Sequence, residues 1–159
     1  MDTFPVFPAT QPLGEHMGLE INGADANVIG EDIPLDAVTS LLYDAQLLCF
    51  RDQSMTPDDL MRFTRLFGEP LPHVLTQFSL PDNPDIYVLS NIVENGKPLG
   101  NAREGFGWYT DLTYMKVPPS VTILYALEVP EEGGETWFAS LYKAWDTLDE
   151  TVKNRLRGL

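Results

Sequence analysis

Residues 106–128 read "FGWYTDLTYMKVPPSVTILYALE", and the fold class turns on them. Apolar and aromatic side chains recur on both sides of "KVPPS", whose two prolines cannot continue a hydrogen-bonded ladder. The reading is therefore two strands, at about 107–114 and 120–128, joined by a proline-marked connection. Downstream, "PEEGGETWFAS" reads as a solvated acidic turn leading into another short strand. Upstream, "DIYVLSNI" reads as a strand and "ENGKPLGNAREGFG" as a long, polar, glycine-bearing loop.

Further back the period changes. In "TPDDLMRFTRLFGE", Thr56 is a good N-cap, Pro57 suits the first helical position, and Asp58 and Asp59 complement the helix dipole. Leu60, Phe63 and Phe67 form the inner stripe, and Gly68 ends the helix. Apolar residues at Leu35, Val38, Leu41, Leu42 and Ala45 have helical spacing and run into "LLCFRD", a buried strand closed by a charged turn. "MGLEINGAD" predicts a short strand closed by Asn22-Gly23. "MDTFPVFPATQPLG", with three prolines and no periodicity, predicts an extended lead-in, and "LYKAWDTLDETVKNRLRGL" one or two helices. Helices come first and strands later, without regular βαβ alternation, so the expected class is α+β in one domain over residues 1–159.

Composition bounds the partners. Ten Lys and Arg stand against 24 Asp and Glu, a formal net charge of −14. Such a chain gains nothing from counterion release, which argues against nucleic acid. There is neither a bilayer-length apolar run nor a basic, apolar leader, so the expectation is a cytoplasmic protein without a membrane role. The lone Cys49 lies in "LLCF" and reads as a small buried hydrophobe. Trp108, Trp137 and Trp145 read as core aromatics.

The pair Tyr109 and Asp111 raises the chemical question. In a strand, residues i and i+2 share a face, so histidine two before aspartate presents an imidazole beside a carboxylate. With one distant histidine, that pair makes the facial triad of non-haem Fe(II) oxygenases. Here the aspartate is present and the first position is a phenol.

Five segments carry a family resemblance: "PLGEHMGLEINGAD", "LLYDAQLLCFRDQSMTPDDLMRFTRLFGEP", "GWYTDLTY", "PPSVTILYALEVPEEGGETWFAS" and "LYKAWDTL". In this order and spacing the chain resembles the taurine dioxygenase (TauD/TfdA) family from about Pro12 onward. The resemblance implies a double-stranded β-helix, or jelly roll, with flanking helices, of which this chain would be the N-terminal half. It implies Fe(II), 2-oxoglutarate and O₂, with hydroxylation of a small organic acid or sulfonate. Residue by residue, Asp111 matches the carboxylate ligand and Tyr109 stands where the first histidine ligand falls. Thr136 matches a 2-oxoglutarate contact, and His73 a substrate contact. Gly105 and Thr76 replace an asparagine and a tyrosine that hold taurine in the taurine-specific enzyme. The second histidine ligand and the arginine that pairs with 2-oxoglutarate have no counterpart here. The expectation is a chain inactive or very weak by itself, partnered as a homo-oligomer or by a separate C-terminal-half chain. The alternative is a non-catalytic binding or oligomerising module.

Each site residue also has a plain structural reading. Asp111 would cap a turn or pair with Arg103; Tyr109 would be a half-buried aromatic on a β face. Thr136 would be a strand residue and His73 a loop histidine. As a ligand, Tyr109 would have to lose a proton held with a reference pKa of about 10.

Overall fold

A computed structural model of the chain describes residues 7, 9–105 and 107–159; residues 1–6, 8 and 106, with the start of the predicted lead-in, lie outside it. The elements in chain order are β1 (Ala9–Pro12), β2 (Leu19–Asn22), α1 (Leu35–Ala45), β3 (Leu48–Phe50), α2 (Pro57–Arg65), β4 (Val93–Glu94), β5 (Lys97–Pro98), α3 (Leu141–Thr147) and α4 (Glu150–Leu156). Helices mix with small sheets, as expected for α+β. The described residues form two compact units, one ending at Gln53 and resuming over Glu128–Leu159, the other Ser54–Leu127. Among them no helix is long and apolar enough to cross a membrane.

The first unit is built on a three-stranded sheet in the order β1-β2-β3. β1 pairs antiparallel with β2, Thr10 opposite Ile21, so the proline-rich lead-in is a paired edge strand from Ala9 onward. An edge tolerates Pro12, which has no amide hydrogen to donate. β2 pairs parallel with β3 through the α1 crossover, Glu20 opposite Cys49. Helix α1 starts at Leu35 as its periodicity predicts and turns its Val38 and Leu41 side inward. Ile21, Ile29 and Val38 are the largest fully buried side chains. Cys49 is half-buried. The helix ends on Gln46, whose φ of +64° is left-handed and whose N–H returns to the Leu42 carbonyl at 2.7 Å. Gln53 clamps the loop after β2: its Oε1 accepts from the buried Ala26 N–H at 2.7 Å, and its Nε2 donates to the Ala24 carbonyl at 2.8 Å.

One carboxylate is buried in this sheet. Glu20 Oε2 accepts from Arg51 at 2.6 Å, while its Oε1 accepts from Gln11 at 2.6 Å and Asn22 at 3.0 Å. Donation from Asn22, Arg51 and Gln11 holds its pKa below the ordinary 4.5. A folded-state pKa depressed below the unfolded value adds stability that is complete above the unfolded pKa and is lost as pH falls through the folded one. Glu20→Gln is therefore expected to lower Tm near neutral pH, with the gap from the parent closing on acidification below about pH 4.5. Thermal denaturation across that range checks it; a gap constant with pH would refute the assignment.

The second unit opens with α2, capped as read. The Asp59 N–H donates to Thr56 Oγ1 at 3.2 Å and the Thr56 N–H to Asp59 Oδ2 at 2.9 Å, a reciprocal capping box. Its buried side chains are Met61 and Phe63, with Leu60 and Phe67 half-buried, so the inner stripe is rotated toward Met61. The segment "DIYVLSNI" is flanked on both sides. Val88 N–H donates to the Phe78 carbonyl at 2.9 Å, and Asn101 N–H to the Val88 carbonyl at 2.9 Å. Gly100 makes that second approach possible, since a Cβ there would stand 2.5 Å from the Val88 oxygen. The loop read over "ENGKPLG" contains the β4–β5 hairpin, turned by Asn95 at φ +49° and Gly96 at φ +76°. Asn-Gly is the commonest signal for that turn.

The strand predicted at 107–114 is absent. Residues 111–114 form a turn, with the Met115 N–H donating to the Leu112 carbonyl at 3.0 Å and Leu112 at φ +46°. Gly105 and Gly107, at φ +84° and +80°, break the extended backbone before it can pleat. Residues 121–126 do alternate half-buried and exposed, as a pleated strand does, yet join neither sheet. A strand is completed only by a neighbour that takes its N–H and C=O groups.

Candidate functional site

Tyr109, Asp111 and His73 belong to the second unit, and Thr136 to the first. Because 107–114 forms no strand and turns at 111–114, the shared strand face expected of Tyr109 and Asp111 does not form. Tyr109 is 63% exposed, so it is not the half-buried β-face aromatic of the structural reading. Its hydroxyl reaches back over Gly105, where an added Cβ would lie 4.0 Å away. Trp108 and Trp137 are exposed as well, which corrects the core reading of both; Trp145 is half-buried under the Arg157 guanidinium, 5.4 Å from its ring.

Asp111 is exposed, and its Oδ2 accepts from Thr122 Oγ1 at 2.6 Å. That hydroxyl, from the strand-like segment 121–126, takes the place of the expected Arg103 partner. A single neutral donor leaves one carboxylate oxygen open among the described residues.

His73 is half-buried. Its Nδ1 accepts from the Leu75 N–H at 3.1 Å, and its ring stacks on Tyr87 with centroids 3.8 Å apart and planes 28° from parallel. Tyr87 donates to Glu104 Oε2 at 3.0 Å and accepts from Asn101 Nδ2 at 2.8 Å. Burial raises the pKa of the Tyr87 phenol, with the Glu104 carboxylate acting in the same direction. Sequence reading singled out none of Tyr87, Asn101 or Glu104. Their spacing of 14 and 3 residues follows no periodic rule, and only the flanking of residues 86–89 brings them together.

Thr136 lies in the exposed run 128–139 before α3. A shallow groove of about 390 Å³ runs along α3, lined by Leu141, Tyr142, Trp145 and Asp146. No predicted site residue lines it.

Among the described residues no group of three or more His, Cys, Asp or Glu side chains converges to hold a metal ion. Asp111 offers one carboxylate and Tyr109 a phenol in place of an imidazole, which leaves a non-haem Fe(II) centre short of donors. The described residues do not by themselves fit that metal.

Residues 6–159 match the model of the taurine catabolism dioxygenase TauD, TfdA family. Among curated proteins, the chain is 32% identical over 150 residues to pentalenolactone F synthase of Streptomyces avermitilis, covering 91% of this chain and 49% of that protein. It is 33% identical to the (S)-phenoxypropionate/alpha-ketoglutarate-dioxygenase of Sphingobium herbicidovorans, covering 93% and 50%. It is 29% identical to the alpha-ketoglutarate-dependent sulfonate dioxygenase of Saccharomyces cerevisiae, covering 90% and 36%. The chain spans half the length, or less, of these relatives.

Proposed function

The chain belongs to the taurine catabolism dioxygenase TauD, TfdA family, and from that membership we propose that it supplies the N-terminal half of an Fe(II)- and 2-oxoglutarate-dependent dioxygenase acting on a small organic acid or sulfonate. The observation that carries the reading is Asp111, which by the resemblance matches the family's carboxylate ligand and is exposed, its Oδ2 accepting from Thr122. In this proposal residues 1–159 are one partial jelly-roll domain, Thr136 is a 2-oxoglutarate contact, and His73 faces the substrate. The relatives named as alpha-ketoglutarate-dependent for phenoxypropionate and for sulfonate both act on anionic acids, which supports 2-oxoglutarate as co-substrate and an acidic substrate. Tyr109 in place of histidine, and the donor count, favour a chain that does not turn over by itself. The test is succinate formation from 2-oxoglutarate by the purified chain, with none expected above an iron-only control.

The same donor count, with Leu124, Leu127, Val129 and Trp137 all exposed, favours a second reading of the isolated chain as a binding or oligomerising module. Exposed apolar side chains and unpaired strands are normally covered by a partner. Sedimentation of the isolated chain is expected to show a dimer or larger species despite its net charge of −14. A stable, compact monomer at micromolar concentration would count against both the half-fold and the oligomerising readings.

A further inference from the structure

The aromatic and polar cluster around Tyr87 is more constrained than packing alone requires. The Tyr87 ring covers one face of the His73 imidazole, and Phe78 meets Tyr87 edge-on with centroids 6.2 Å apart. The phenol is then held at its far end by a closed set of three hydrogen bonds. Tyr87 donates to Glu104 Oε2 at 3.0 Å, Asn101 Nδ2 donates to the Tyr87 hydroxyl at 2.8 Å, and the same Nδ2 donates to Glu104 Oε2 at 2.5 Å. Asn101 is fixed in turn, because its Oδ1 accepts from the Arg103 N–H at 3.0 Å and its backbone pairs with Val88 beside Gly100.

We propose that Tyr87, held by Asn101 and Glu104, is a positioning residue that sets the orientation of the His73 ring and couples it to the loop leading into Tyr109 and Asp111. Two contacts define the imidazole: the stack fixes its plane, and the Leu75 N–H donating to Nδ1 fixes its rotation within that plane. With Nδ1 accepting, the proton of the neutral ring is assigned to Nε2. Nε2 has no partner among the described residues, so it is the donor this cluster leaves outward, suited to an anionic oxygen of a small acid. Glu104 sits one residue before Gly105, the glycine under the Tyr109 hydroxyl. A shift of the 101–105 loop therefore reaches His73 through Tyr87. A phenol is protonated over the neutral range at its ordinary pKa, and burial raises that of Tyr87 further, so it can donate to Glu104 there. The functional consequence rests on His73 facing the substrate; the coupling does not.

Nuclear magnetic resonance of the imidazole rings tests both parts separately. The chain has two histidines, so His73→Gln assigns the spectrum and His16, in the other unit, is an internal control. The His73 ring protons are expected upfield under the Tyr87 ring current, and Tyr87→Leu is expected to return them toward free-histidine positions with His16 unmoved. Glu104→Ala is expected to shift them in the parent and to leave them unmoved in a Tyr87→Phe background, which keeps the ring and lacks the hydroxyl. Glu104→Gln, which keeps an acceptor, is expected to restore the parent position. Equal shifts from Glu104→Ala in both backgrounds, or no shift in either, would overturn the coupling. Titration with 2-phenoxypropionate then addresses the substrate side. Binding that moves His73 and is weakened by Tyr87→Leu supports the positioning role. Binding that leaves His73 unmoved overturns the substrate-side reading, and the mutant cycle still decides the coupling.

Discussion

Purified as 159 residues and supplied with Fe(II), O₂ and 2-oxoglutarate, the chain is expected to form no succinate above an iron-only control, with either taurine or an aryloxy acid present. The reason is loss of positional control. 2-Oxoglutarate carries two carboxylates, and a bidentate arginine pair fixes such a group in orientation as well as affinity. On the proposed reading, that arginine belongs to the half of the family fold that these residues do not match. Thr136 can add one hydrogen bond, worth about 1 kcal/mol net, which does not replace a charged pair. On the metal side Asp111 stands without a converging group of donors among the described residues. Misplacement of reacting groups by about 1 Å already costs on the order of 100-fold in rate, and here whole contacts are missing. Turnover above background that Asp111→Ala abolishes would show that Tyr109 or another side chain completes the site.

Tyr109→His is expected to tighten Fe(II) binding by at least about tenfold, or ~1.4 kcal/mol. A phenol must give up a proton with a reference pKa of about 10 before it can ligate, whereas a neutral imidazole is ready at pH 7. Tyr109 is exposed and makes no contact that the exchange would sacrifice in the core. The turn at 111–114 moderates the gain, because histidine would then stand beside Asp111 on a bend and not on one face of a strand. Anaerobic equilibrium dialysis against Fe(II) checks it, with Tyr109→His compared against the same change combined with Asp111→Ala. An increase that survives Asp111→Ala would mean that the two positions do not act together. Tight stoichiometric iron in the unmodified chain would refute the premise.

Local chemistry made parts of this protein legible in its sequence. Thr56, Pro57 and Asp59 announce the start of α2, because an N-cap is written within four residues. Leu35, Val38 and Leu41 announce α1 through their period, and Asn22-Gly23 announces the end of β2. The family was legible through segments such as "GWYTDLTY". Where a partner decides, the sequence was silent or misleading. Residues 107–114 carry the side chains of a strand, but two left-handed glycines, at 105 and 107, and no flanking ladder leave them irregular, with a turn at 111–114. Ala9–Pro12 has no strand pattern of its own and becomes one by pairing with β2. Tyr87, Asn101 and Glu104 show the same division. Each is unremarked in sequence, and only the two segments flanking residues 86–89 bring them onto one hydrogen-bonded set behind His73. Caps and periods are satisfied within a few residues, so the sequence by itself determined the helices. Ladders, stacks and shared hydrogen bonds need groups far apart in the chain, and those only the tertiary structure decided.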